Sequence, residues 1–305
     1  MPANRPAAFP VAFILCKSRR SMDQWLKRPD APALRTRLYE PEGAPRGSVL
    51  VTTGFSEHVG RYEHVCERWR AAGWLVAAWD LRGQGKSEGP RGYVTRFSEF
   101  IDDLFAYLDE LQKDSRFRSL GTPIAFAHSM GALLTIHAAL RDASRFRALA
   151  LTSPYLGLAL ETPAWKLAAG RAISALVPRF SLPTNVSASI LTHDAERARM
   201  IESDPLGIQR MTARLFTEVE SAQAEALRRA GELRLPIAVR AAGDDQLVDV
   251  NVTRRFMSQV SSKDVNLFIA EGQFHELHQE LGWEQHADAF AEQFARWNDA
   301  STPNS

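Results

Sequence analysis

Six short apolar stretches, at 48–54, 74–80, 123–129, 148–154, 236–243 and 266–272, each stop at turn-forming residues, and they constrain the fold more than any other feature of this chain. Their apolar residues are continuous rather than alternating, as expected of parallel strands covered on both faces. Between them run amphipathic patterns of helical period. Phe97, Phe100, Ile101, Leu104, Phe105, Leu108 and Leu111 form one such stripe, and 61–72, 131–141, 253–260 and 283–297 read likewise. Strands alternating with helices predict an α/β fold with a mostly parallel, doubly wound central sheet.

The alternation lapses over 156–231, too long for a simple connection. Helical patterns at 163–177 and 194–229, separated by SLPTNVS (181–187), predict a helical cap inserted into a core of 22–155 and 232–302. Residues 1–21 read as a loose tail: Pro10 breaks their weak likeness to a signal peptide, and no A-x-A-like cleavage site follows. Apolar runs all fall short of the roughly 18 residues of a membrane span.

The run at 124–134, IAFAHSMGALL, places a hydroxyl where a strand gives way to a helix. Ala127, Ser129 and Gly131 form A-x-S-x-G, one methyl group from the G-x-S-x-G elbow that exposes a nucleophilic serine above a sheet edge. A helix-capping serine is the plainer reading of the same residues. Serine is a weak nucleophile at neutral pH, so catalysis requires a base and an orienting acid, found later in the chain on this architecture. GDDQLVD (243–249) follows one strand run and FHELHQE (274–280) another, and loops at the carboxyl ends of parallel strands converge on one edge. Spacing alone leaves Asp244, Asp245 and Asp249 competing for the acid. It favours His275 over His278 as the base, because His275 is nearer its strand end.

Two motifs invite other chemistry and fail on one residue each. RGQGKS (82–87) would need a glycine where Asp80 stands to be a phosphate loop, so it reads as a glycine-rich turn. HELHQ (275–279) has Gln279 in place of the second histidine of a zinc-hydrolase motif. No metal or other cofactor is expected. A formal net charge of +1 over 305 residues gives no pull toward nucleic acid, and a neutral or lipid-like substrate fits better. Cys16 and Cys66 are too few for a disulfide framework and point to a reducing, cytoplasmic compartment.

In TGFSEHVGRY (53–62), WDLRGQGKSEG (79–89), AHSMG (127–131), SDPL (203–206), GDDQLVD and FHELHQE, the chain resembles the monoacylglycerol lipase and lysophospholipase branch of the α/β-hydrolases, an S33-like hydrolase domain. The resemblance spans roughly Leu38 to Trp297. It implies Ser129 as nucleophile, Asp245 as acid and His275 as base, with the backbone N–H groups of Phe55 and Met130 as oxyanion donors. Glu57, Arg61 and His278 match positions that hold the glycerol end of the substrate, although a buried Glu57–Arg61 ion pair that only shapes the loop is the alternative. Thr53 and Ser56 replace the family's usual His and Gly in the oxyanion loop.

The expected activity is therefore release of a fatty acid from a single-chain glycerolipid, monoacylglycerol first. Lysophospholipase, general esterase or acyltransferase chemistry on the same fold is the alternative, and a catalytically silent lipid-binding protein is the alternative from another class. Leu160, Trp165, Leu167, Ile173, Leu176 and Val177, beside Lys166, Arg171 and Arg179, give the cap an apolar and basic character suited to transient contact with a membrane surface. The same side chains could equally pack the cap onto the core. The partner expected is a lipid ester, with no nucleic acid; nothing in the sequence speaks to oligomeric state.

Overall fold

A computed structural model describes residues 23–159 and 164–300 of the chain. The expected tail, Cys16 and Leu160 lie outside the described residues, as does the side chain of Lys166.

In chain order the strands are β1 (Asp23–Arg28), β2 (Ala31–Tyr39), β3 (Gly47–Thr52), β4 (Trp74–Trp79), β5 (Ile124–His128) and β6 (Ala148–Thr152). Two short strands follow in the inserted segment, β7 (Ser181–Pro183) and β8 (Arg210–Thr212), and pair with each other. Then come β9 (Ile237–Ala242) and β10 (Val265–Ala270). The eight remaining strands form one sheet in the order β1-β2-β4-β3-β5-β6-β9-β10. The β1–β2 and β2–β4 pairings are antiparallel and the other neighbours parallel. The six apolar runs correspond to β3, β4, β5, β6, β9 and β10.

Successive strand residues face opposite sides, so a continuous apolar run feeds two cores. In β5, Ile124 and Phe126 join one cluster, where Phe126 meets the rings of Trp69 at 4.8 Å and Phe290 at 5.2 Å. These rings come from α1 (Glu63–Ala71) and the final helix (Trp283–Asp299). Ala125 and Ala127 face the other cluster, with Leu104 of α2 (Ser98–Leu111) and Leu133 of the helix that begins at Ser129. The short α3 (Ser115–Leu120) links α2 to β5, and α4 (Ser129–Arg141) continues from β5 without a connecting loop.

The β1–β2 hairpin has no counterpart among the apolar runs. Its interior includes Arg35, buried between the carboxylates of Asp23 (2.7 Å) and Asp80 (3.3 Å), so charge pairing rather than apolar content seats this part of β2. Asp80 also accepts the backbone N–H groups of Val59 and Lys86, which wraps the 82–87 turn around a buried carboxylate.

The inserted segment holds α5 (Ala164–Leu176), α6 (Ala195–Glu202) and α7 (Ala213–Arg229). The helix expected over 194–229 is thus two helices. Pro205 carries no N–H and Gly207 favours a turn, and the chain there reverses into β8. The separator SLPTNVS in turn supplies β7. Asp194 caps α6, and Thr212 caps α7 by accepting the N–H of Leu215. Helices α8 (Val250–Gln259) and α9 (Trp283–Asp299) complete the core. Among the described residues, no helix is long and apolar enough to cross a membrane.

Candidate active site

The turn between β5 and α4 forces Ser129 to a φ of 51°, a left-handed conformation that non-glycine residues rarely adopt. Such strain is retained where surrounding structure over-determines it. Gly131 is part of that structure. A Cβ added there would lie 2.3 Å from the carbonyl oxygen of Thr53 and 2.7 Å from that of Thr52, so only glycine lets α4 start this close to the end of β3.

Two loops bring their polar groups to this elbow. His275, on the loop after β10, sits with Nε2 3.0 Å from Ser129 Oγ and Nδ1 2.7 Å from Asp245 Oδ2. Asp245 lies on the loop after β9, where its other oxygen accepts the N–H groups of Leu247 and Val248, both at 2.9 Å. The competing carboxylates are placed elsewhere: Asp249 caps α8 through the N–H of Asn251, and Asp244 is exposed. Burial pulls the His275 imidazole toward its neutral form, but the adjacent Asp245 carboxylate outweighs this and leaves its pKa above the ordinary histidine value. Because a carboxylate can only accept, Nδ1 carries the proton and Nε2 is free to accept one from the serine.

Phe55 and Met130 line the cavity beside Ser129. Met130 is in the first turn of α4, where N–H groups lack intrahelical acceptors. Phe55 is in the loop after β3, whose next residue, Ser56, takes a φ of 65°. That conformation is the one a glycine would hold with least strain. Here Ser56 is fixed by bonds at both ends, its N–H to Gln84 at 2.6 Å and its Oγ from the N–H of Ile208 at 2.7 Å. The substitution thus ties the loop to the inserted segment. His58, whose Nε2 is 3.0 Å from Asp204, makes a second tie.

Glu57 and Arg61 line the same cavity as Ser129, and His278 lies against Glu57 without lining it. Arg61 is bonded to Glu276 and stands 4.0 Å from Glu57, so its principal partner is not the Glu57 expected from the sequence alternative. Glu57 Oε2 accepts from the Tyr62 hydroxyl and the Gly54 N–H, while Oε1 has no hydrogen-bond partner among the described residues. Burial works against the Glu57 carboxylate, yet the imidazoles of His128 and His278 and the Arg61 guanidinium hold it well below the usual carboxylate range. His278 stacks on Tyr62 with ring centres 4.3 Å apart and reaches Glu57 at 3.4 Å. Tyr62, His128 and Glu276 were not singled out from the sequence. Their only signal was adjacency to residues that were.

Above the elbow lies a cavity of about 500 Å³. Glu57, Arg61, His128, Ser129 and His275 are among its polar lining, and Ile173, Phe180, Leu182, Met211 and Phe216 of the inserted segment give apolar walls. A family model described as serine aminopeptidase, S33, matches residues 43–282.

The chain belongs to this family.

The human monoglyceride lipase is 31% identical to this S33 family member over 267 residues, covering 83% of this chain and 82% of the relative. Bacillus subtilis phospholipase YtpA is 27% identical over 256 residues, covering 82% and 96%. Among solved structures, the monoacylglycerol lipase of Paleococcus ferrophilus superposes with a TM-score of 0.79 at 24% identity, over 87% of this chain and 99% of that one. The fold is that of the α/β-hydrolases, and this S33 family member is a serine ester hydrolase.

Proposed function

We propose that the enzyme hydrolyses monoacylglycerol to fatty acid and glycerol, with Ser129 as nucleophile, His275 as general base and acid, and Asp245 as the group that orients the imidazole. One observation carries this reading: a hydroxyl–imidazole–carboxylate chain opens into a cavity with apolar walls, beside a buried carboxylate oxygen, Glu57 Oε1, that accepts no hydrogen bond among the described residues and has His278 and Arg61 at 3.4 and 4.0 Å. His275 takes the serine proton as Oγ attacks the ester carbonyl, and Asp245 stabilises the imidazolium that forms. The oxyanion rests on the N–H groups of Phe55 and Met130, each worth about 10² to 10³ in kcat in comparable sites. His275 then protonates the leaving glycerol oxygen, and water releases the acyl group by the same steps in reverse.

Glu57 Oε1 accepts a glycerol hydroxyl, with Arg61 and His278 beside it. The acyl chain lies along Ile173, Phe180 and Phe216 under the cap, residues 156–231, between core segments 22–155 and 232–302. The cap turns Trp165, Leu176 and Val177 outward, at 69%, 82% and 55% exposure, and we infer that these side chains contact a lipid surface.

A lysophospholipid is the second reading. It is favoured by Arg91, Arg179 and Arg210, which line a groove next to the cavity and pair with no carboxylate among the described residues, and by the name of the Bacillus relative. Hydrolysis of monoacylglycerols and lysophosphatidylcholines, compared across chain lengths with Ser129→Ala as control, tests the assignment. Higher kcat/KM on monoacylglycerol supports it; preference for the phospholipid transfers it to the second reading.

A further inference from the structure

We propose that Glu57, His128 and His278 form a binding site for a borderline divalent cation, zinc above all, through which the metal inhibits the enzyme by taking the place of the substrate's hydroxyls. The inhibitory half rests on the glycerol-binding role proposed above, and the metal site itself does not.

All three side chains are buried, and one ligand atom from each lies within 4.8 Å of the others. His278 Nε2 and Glu57 Oε1 are already 3.4 Å apart, close to the edge of a tetrahedral site built on bonds of about 2.0 to 2.2 Å. Among the described residues, Glu57 Oε1 and both ring nitrogens of His278 lack hydrogen-bond partners. Buried polar atoms rarely go unsatisfied without reason.

The supporting contacts fit a metal ligand set. The Thr152 carbonyl, 3.2 Å from His128 Nδ1, requires the proton on that nitrogen and leaves Nε2 with a lone pair. Glu57 Oε2 is fixed by Tyr62 and Gly54, leaving Oε1 to coordinate. Tyr62 also holds the His278 ring flat against its own. Two imidazoles and one carboxylate suit zinc, and with three protein ligands a fourth position stays open. Arg61 is the adverse charge, but it is bonded to Glu276, so two carboxylates face one guanidinium. Glu57 and His128 line the cavity that holds Ser129, which supplies the route of entry. The HELHQ segment, one residue short of a zinc-hydrolase helix, thus contributes His278 to a different constellation.

The test uses full-length, metal-free Ser129→Ala protein, titrated with Co²⁺ while tetrahedral visible absorption is recorded, then with Zn²⁺ as displacing ion. One Co²⁺ per chain is expected, displaced by Zn²⁺. Affinity should fall in both His278→Phe and Glu57→Gln backgrounds by more than the 10- to 100-fold typical of losing an outer partner. The His278→Phe change keeps a ring on Tyr62, and thermal unfolding verifies that each variant is folded. Absence of stoichiometric binding to the Ser129→Ala parent, or binding by either variant as tight as the parent's, overturns the site. Wild-type hydrolysis should be inhibited by Zn²⁺, restored by chelator, and protected by excess monoacylglycerol. Binding without inhibition overturns the inhibitory role. If monoacylglycerol is not a substrate at all, the Co²⁺ readout still decides the site, because it requires no turnover.

Discussion

His275 meets Ser129 across 146 positions of sequence, with Nε2 3.0 Å from the hydroxyl and the opposite ring nitrogen on Asp245. Asp245 is itself held by two backbone N–H groups, so the imidazole is oriented by a carboxylate that cannot readily turn away. Replacing Asp245 with Asn leaves the shape but presents an amide that can stabilise the wrong tautomer. Steady-state hydrolysis of a soluble ester by Asp245→Asn should show kcat lowered by about 10⁴ with little change in KM. A loss under tenfold would remove Asp245 from the mechanism.

The pKa of His275 is raised, and catalysis needs its neutral form. Activity should therefore be full at alkaline pH and fall as pH drops through a value above that of an ordinary imidazole. In Asp245→Asn the largest raising influence is gone while burial remains, with only the lesser pull of Glu276 and Glu57 against it, so the residual activity should hold to lower pH. Profiles of kcat/KM for both proteins check the sign; an inflexion that moves upward in the variant would contradict it.

Gly131 carries the approach of α4 to β3. In Gly131→Ala the new methyl must displace backbone at Thr53, not a flexible side chain. We expect a loss of about 1 to 3 kcal/mol in urea unfolding, together with lower kcat because the Thr53–Ser56 loop must shift. Unchanged stability would mean the elbow has more room than these distances allow.

From β3 to β9 the parallel part of the sheet was legible because burial on both faces writes itself as unbroken apolar runs, and the serine was legible because it interrupts one; β10 departs from that expectation, since it is the sheet edge and leaves Val265 and Phe268 exposed. Asp245 could not be separated from Asp244 and Asp249 by spacing. What separates them is which carboxylate the loop turns toward His275, while Asp249 is engaged at the start of α8. The β1–β2 hairpin was hidden because Arg35 and Arg37 occupy it, paired with Asp23 across the hairpin and, for Arg35, with Asp80 beyond the end of β4. The break between α6 and α7 was hidden for the opposite reason: apolar spacing continues through Leu206 and Ile208 although Pro205 ends the helical bonding.

Exposed apolar side chains on the cap should matter only when substrate is presented on a surface. The double variant Leu176→Glu, Val177→Glu should float less with phosphatidylcholine vesicles carrying monoacylglycerol, and should hydrolyse a short, dissolved ester at the wild-type rate. Equal flotation would remove the lipid-contact role from α5 and its C-terminal end.

Covalent trapping tests most directly whether Ser129 is the nucleophile. The wild-type protein, treated with a fluorophosphonate and mapped by peptide mass spectrometry, should carry one adduct on Ser129, lose hydrolysis in step with labelling, and fail to label as Ser129→Ala. An adduct on another residue, or labelling and hydrolysis that persist in Ser129→Ala, would contradict the account.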